Sequence, residues 1–200
     1  MYADEPPLGF DVVEVDEVAE GWEDGWRAFH HGVRVGGCWV GPPWEEPPAD
    51  AIAVVIDPGR AFGTGAHATT RLCLELLQDV EPTSLLDVGC GSGVLSVAAA
   101  KLGFEPVSAL DLDEVALETT RANATANGVS VDVGAELVPS TLAVMNIALD
   151  VVERMLAELP VERAITSGYL ERDEPRADGW ERMDRRARDG WAADLFERKP

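Results

Sequence analysis

Short apolar runs alternate with helical patterns along the chain from residue 51 onward. The runs "AIAVVI", "SLLDVG" and "PVSALDLD" are typical of buried strands, because they are short, apolar and bounded by turn residues. Further strands are predicted at 129–133, 142–146 and 164–167, and a closing hairpin at 180–184 and 191–196. Helices are predicted at 70–77, at 94–102, from the N-cap Asp113 to about 127, and at about 150–159. This order predicts an α/β fold whose parallel sheet carries helices on both faces and becomes mixed through the antiparallel hairpin.

The first fifty residues have a different texture. Carboxylates there greatly outnumber Arg27 and Arg34, and prolines flank the segment. Two short β-type runs around Gly36-Gly37 predict a hairpin, and "PPWEEPP" predicts a linker. We therefore divide the chain into an acidic N-terminal arm, residues 1–50, and a main domain, residues 51–200.

Charge and cysteine usage narrow the possible partners. The formal net charge is −21, and the sixteen basic residues include only the lysines Lys101 and Lys199. Such a field repels nucleic acid and anionic membranes, so a basic protein or a small molecule is the expected partner. The alternative is that the acidity and the preference for arginine reflect a salty habitat or a skewed genome rather than a partner. Three scattered cysteines, with no export or membrane-spanning pattern, predict reduced thiols and a cytoplasmic protein. No metal site is predicted.

The stretch "DVGCGSG" predicts a ligand site between a strand and a helix. Gly89, Gly91 and Gly93 follow G-x-G-x-G spacing, which is neither the dinucleotide pattern nor a Walker loop. Asp111 ends the next predicted strand, where a carboxylate accepts hydrogen bonds from ribose hydroxyls. A ribose-bearing cofactor without a diphosphate is therefore expected, and S-adenosylmethionine fits that description.

Several longer stretches make the comparison specific. "DPGRAFGTGAHATTR", "LLDVGCGSGVLSVAAAKLG", "ALDLDEVALETTRANATANG" and "LAVMNIALDVVERML" occur in this order. Together they resemble the catalytic domain of the PrmA-type lysine methyltransferases of large-subunit ribosomal protein eleven. The resemblance covers residues 22 to about 170. It implies a Rossmann-like seven-strand class I methyltransferase fold that uses S-adenosylmethionine and methylates a ribosomal protein.

The resemblance implies four cofactor contacts, Thr70, Gly89, Asp111 and Asn146. The two glycine-rich stretches add further residues that are expected to bind the cofactor: Phe62, Gly63, Thr64, Asp87, Gly91 and Gly93. Asn146 and His67 are the catalytic candidates. Asn146 would position the incoming amine with its side-chain oxygen or would simply end a strand in a turn, whereas His67 would accept a proton or fix its loop by hydrogen bonding.

Three departures from the family pattern leave other functions open. Only about fifty residues precede the catalytic core where the family carries a substrate-binding domain. The 133–142 connection leaves little room for the usual helix, and 159–164 lacks the usual glycine turn.

The stretch Asn146-Ile147-Ala148-Leu149 argues against two classes of substrate. It lacks the aromatic residue that base and glutamine methyltransferases carry there, which leaves aliphatic amines open. A protein amine methyltransferase is the main hypothesis. A small-molecule methyltransferase and a non-catalytic paralogue that binds S-adenosylmethionine are the alternatives.

Overall fold

A computed structural model describes residues 31–57, 65–134, 136 and 138–200 of the chain. The predicted cofactor residues Phe62, Gly63 and Thr64 lie outside the described residues, as do residues 1–30. From His31 onward the chain forms one compact unit. The division at residue 50 stays a prediction, since most of the proposed arm is not described.

A small three-stranded sheet opens the described part of the chain. Strands β1 (Val33–Val35) and β2 (Cys38–Gly41) form an antiparallel hairpin, and β3 (Ile52–Val55) pairs with β2 in parallel. The turn passes through Gly36, whose φ of 58° favours glycine. The hairpin predicted around Gly36-Gly37 is therefore confirmed.

The main sheet has seven strands. They are β4 (Leu85–Val88), β5 (Val107–Leu110), β6 (Asp132–Gly134), β7 (Leu142–Asn146), β8 (Arg163–Leu170), β9 (Trp180–Arg188) and β10 (Trp191–Arg198). The strand order is β6-β5-β4-β7-β8-β10-β9. The first five strands are parallel, and β10 lies antiparallel between β8 and β9. The predicted mixed α/β sheet with a C-terminal hairpin is confirmed.

Four helices surround this sheet in the described ranges. They are α1 (Ala68–Asp79), α2 (Val94–Lys101), α3 (Glu114–Ala126) and α4 (Leu149–Glu158). Asp113 caps α3 as predicted, accepting a hydrogen bond from the Val115 amide at 2.9 Å. Gly128, with φ 66°, follows the end of α3. None of these described helices is long and apolar enough to cross a membrane.

The core lies on both faces of the main sheet. Alternate residues of β7 point to opposite sides: Leu142 and Val144 pack in the cluster that includes α1 and α2, while Ala143 and Met145 pack in the cluster that includes α4. A strand buried on both faces needs apolar residues at successive positions, which explains the unbroken apolar run in the sequence.

Two short connections between elements differ from the pattern that the seven-strand methyltransferase fold usually has. None of the described residues between β6 and β7 is helical, as the short 133–142 segment predicts. At the end of α4 the backbone turns without glycine, because side chains satisfy its carbonyls. Trp180 Nε1 donates to the Leu156 oxygen at 2.9 Å, and Arg198 Nη2 donates to the Leu159 oxygen at 2.6 Å.

Candidate active site

A cavity of about 470 Å³ opens at the carboxyl ends of β4, β5 and β7. The strand order reverses at β4, which is where open α/β sheets bind ligands. Six predicted site residues border the cavity: Thr70, Asp87, Gly89, Gly91, Asp111 and Asn146. Gly93 and His67, both described, are not among the residues that border it.

The glycine loop takes a backbone conformation that other residues rarely adopt. Gly89, Gly91 and Gly93 have φ values of 75°, 55° and 78°. Gly93 serves packing, since a Cβ there would lie 2.8 Å from Thr120 Cγ2 on α3. The amides of Gly89 and Cys90 both donate to the Leu110 oxygen, at 2.9 and 3.1 Å. The loop is therefore fixed against the end of β5, beside Asp111.

Asp111 presents a half-buried carboxylate to the cavity. Its Oδ2 accepts a hydrogen bond from the Gly91 amide at 3.0 Å, and its Oδ1 accepts one from the Asp113 amide at 3.0 Å. Each carboxylate oxygen retains a further acceptor position. The next residue, Leu112, is fully exposed and also borders the cavity. The pair thus offers two acceptors beside an uncovered apolar surface.

Asp87 lies beneath the glycine loop and is almost completely buried. Ser96 Oγ donates to its Oδ2 at 2.5 Å. Burial raises the pKa of Asp87 to about 6, and the Ser96 hydrogen bond opposes part of that rise. The Asp87 carboxyl group at the wall of the cavity therefore keeps its proton to a higher pH than an exposed aspartate does.

Thr70 and Asn146 meet at the opposite wall. Asn146 Nδ2 donates to Thr70 Oγ1 at 3.2 Å, joining the end of β7 to the first turn of α1. Thr70 is nearly inaccessible, whereas Asn146 is half-buried. Among the described residues no hydrogen bond engages the side-chain oxygen of Asn146, which is therefore available as an acceptor.

The contacts of His67 lie at the start of α1 and connect it to β10. It is the N-cap residue of α1, and its Nδ1 lies 2.8 Å from Thr69 Oγ1 and accepts from the Thr69 amide at 3.4 Å. Its ring meets the Trp191 ring edge-on, with centroids 5.0 Å apart. These contacts favour the role of fixing the loop, while proton transfer by His67 stays an untested prediction.

Sequence reasoning missed part of the apolar wall. Ile147, Val151 and Met155 border the cavity, together with Arg154. Val151 and Met155 are four residues apart on α4 and therefore share one face of that helix. That spacing, directly after Asn146, is the pattern that could have identified them.

Comparison with known proteins gives a consistent family. Residues 5–198 match the family described as "Ribosomal protein L11 methyltransferase (PrmA)". A relative with that name from Thermoanaerobacter sp. (strain X514) is 42% identical over 170 residues, covering 76% of this chain and 55% of the relative. One from Shewanella sediminis is 38% identical over 179 residues, covering 83% and 61%. The chain thus spans little more than half the length of these relatives.

Solved structures agree with the sequence relatives. The crystal structure of a ribosomal protein L11 methylase from Lactobacillus delbrueckii subsp. bulgaricus superposes with a TM-score of 0.77 at 25% identity, covering 85% of this chain and 100% of that chain. An rRNA methylase from Escherichia coli superposes with a TM-score of 0.52 at 18% identity, covering 68% of each chain. The second likeness concerns the fold alone.

Proposed function

Since this chain belongs to the ribosomal protein L11 methyltransferase family, we propose that it transfers methyl groups from S-adenosylmethionine to amines of a basic protein. A lysine side chain or the N-terminus of a ribosomal protein is the first candidate acceptor. The observation that carries the proposal is the convergence of the Asp111 carboxylate, the glycine loop and the Asn146–Thr70 pair on one cavity.

The chemistry of the cavity fits the proposed cofactor. Its volume lies within the range of small-molecule sites. The free acceptor positions of Asp111 suit two ribose hydroxyls, and the uncovered Leu112 suits a planar base. Thr70 lies in the first turn of α1, where the helix dipole favours a carboxylate. When bound, S-adenosylmethionine supplies an electrophilic methyl group on a sulfonium centre.

The acceptor amine must be neutral before it can attack. A lysine with its ordinary pKa near 10.4 requires about 4 to 5 kcal/mol to lose its proton at pH 7. Ile147, Val151 and Met155 supply an apolar wall that lowers this cost by desolvation. The Asn146 side-chain oxygen accepts one N–H of the amine and orients its lone pair. No proton-accepting residue is assigned, and we propose that His67 positions α1.

The acceptor is expected to be basic. A net charge of −21 favours encounter with a positively charged partner and opposes direct binding to nucleic acid. Ribosomal proteins are the class that the names of the relatives indicate. We therefore propose that the present chain also acts on a ribosomal protein and that it does so in the cytoplasm.

Methyl transfer can be tested directly. The purified chain, incubated with S-adenosylmethionine carrying a tritiated methyl group, is expected to label a protein in a ribosomal-protein fraction. A parallel incubation with protein-free cell extract serves as the control. Label found only in small metabolites would support the small-molecule alternative. Cofactor binding without any transfer would support the non-catalytic alternative.

Replacing Thr70 tests whether its hydroxyl group contributes to cofactor binding. Thr70→Val keeps the side-chain shape but removes the hydroxyl that accepts from Asn146. We expect cofactor affinity to fall about tenfold, because one hydrogen bond is lost and a polar group is left unpaired. Isothermal titration calorimetry measures the affinity, and Thr70→Ser is the matched control. Loss of folding with normal affinity in the remaining folded protein would instead assign Thr70 a structural role.

The raised pKa of Asp87 predicts a pH-dependent stability. The folded chain keeps the Asp87 proton up to about pH 6, whereas the unfolded chain releases it near 3.8. The stabilising effect of the retained proton is therefore complete well below pH 3.8 and is lost as the pH rises through about 6. Relative to Asp87→Asn, the wild-type protein should lose about 2 kcal/mol of unfolding free energy between pH 4 and pH 7. Urea unfolding at both pH values measures this, and a pH-independent difference would contradict it.

A further inference from the structure

Strand β8 contains an irregularity beside the site. In the pairing with β10, Ala193 lies opposite Ser167 and Ala192 lies opposite Tyr169, so Gly168 has no opposite residue. Gly168 has a φ of 101°, which is typical of a glycine at a β-bulge. The apolar run in the sequence predicts a strand that ends at Ser167, and it indicates no role for this glycine.

The bulge leaves room for the backbone of Ile147. A Cβ on Gly168 would lie 2.7 Å from the carbonyl carbon and 2.9 Å from the nitrogen of Ile147, and closer still to its carbonyl oxygen. Carbon atoms not bonded to each other normally stay 3.5 to 4.0 Å apart. A side chain at Gly168 would therefore displace the Ile147 peptide by about 1 Å.

Ile147 packs close to two further elements. Its amide donates to the Ser167 oxygen at 3.1 Å. A Cβ on Gly89 would lie 2.5 Å from Ile147 Cγ2, so the glycine loop after β4 also lies close to this side chain. The backbone of Ile147 is therefore tied to β8, while its half-buried side chain borders the cavity.

We infer that Gly168 is a positioning residue for the acceptor amine. It acts through Ile147, whose displacement also moves the adjoining Asn146. Asn146 is the residue whose side-chain oxygen receives the amine, so its position sets the line of attack. This inference rests on the proposed methyl transfer, and it assigns to β8 a part in orienting the acceptor.

The variant Gly168→Ala tests the inference, with Gly179→Ala as the matched control. Gly179 also has a positive φ, 83°, but nothing lies within 4 Å of the position that its Cβ would take. Both variants therefore strain the backbone, and only Gly168→Ala displaces Ile147. We expect methyl transfer at saturating cofactor to fall about 100-fold in Gly168→Ala relative to Gly179→Ala. The cofactor affinity of Gly168→Ala, measured by calorimetry, should fall by about tenfold at most, because Asn146 also holds Thr70. Saturating cofactor removes this effect from the comparison of rates.

A second measurement keeps the test decisive if Gly168→Ala folds only in part. Saturating S-adenosylmethionine stabilises the folded state, and the transfer rate is divided by the folded fraction measured by circular dichroism. Equal rates per folded molecule for Gly168→Ala and Gly179→Ala would overturn the inference alone. An inactive wild-type protein would overturn the proposed function and, with it, this inference.

Discussion

The Asp111→Asn variant is expected to bind S-adenosylmethionine about 100-fold more weakly than the wild-type protein. Each hydrogen bond from a ribose hydroxyl to a charged carboxylate contributes about 1.5 to 3 kcal/mol. Two such bonds are at stake, and about 1.4 kcal/mol corresponds to a tenfold change in affinity. The asparagine also loses an acceptor for one of the amides of Gly91 and Asp113. Isothermal titration calorimetry of the cofactor-free protein measures the change.

Asp113→Asn is the matched control for this experiment. It removes a carboxylate from the same turn, two residues away, and therefore changes the net charge equally. Asparagine caps helices as well as aspartate does, so α3 should keep its start at Glu114. We expect its cofactor affinity to stay within about threefold of the wild-type value. Equal affinities for the two variants would show that Asp111 does not hold the cofactor.

The sequence predicts the site best where the fold itself fixes the geometry. A strand, a glycine loop and a helix place Gly89 and Gly91 at the cavity, and Asp111 directly follows the neighbouring strand β5, because parallel strands finish at one edge. The apolar runs predict the central strands β4 and β7, since these are buried on both faces. These features depend on neighbours in sequence, which a local pattern records.

Contacts between distant residues could not be predicted in this way. The sequence indicates a closing hairpin, but it does not reveal that β10 lies inside the sheet and β9 at its edge. The approach of Ile147 to Gly168 depends on a bulge, which shifts the register after β8 has paired with β10. The α1 start also differs by two residues, because His67 caps the helix ahead of the apolar pattern.

The sequence also does not show which of its charged side chains are buried in the fold. A net charge of −21 indicates a carboxylate-rich surface, yet Asp194 on β10 has a completely buried side chain. Tyr169 Oη donates to Asp194 Oδ2 at 2.7 Å, and Arg185 Nη1 lies 3.2 Å from the same oxygen. Arg185 Nη2 also donates to the backbone carbonyl oxygens of Glu171 and Asp173. Asp194 therefore joins β8 and β9 to the loop that follows β8.

Replacing Asp194 with alanine is expected to lower the free energy of unfolding by about 3 to 5 kcal/mol. The loss removes the buried carboxylate that Arg185 and Tyr169 share and leaves a gap in the sheet, and breaking a buried ion pair is strongly destabilising. Arg185 keeps Glu174 and Tyr169 keeps Thr166 as partners, so the lower end of this range is expected. Asp184→Ala on β9 is the control, because Asp184 is 42% exposed and its pair with Arg186 is worth about 1 kcal/mol or less. Urea unfolding at pH 7 compares the two variants. If Asp194→Ala costs no more than Asp184→Ala, the buried cluster does not hold the C-terminal strands together, and the sheet packing of Trp180, Ala192 and Phe196 carries that stability instead.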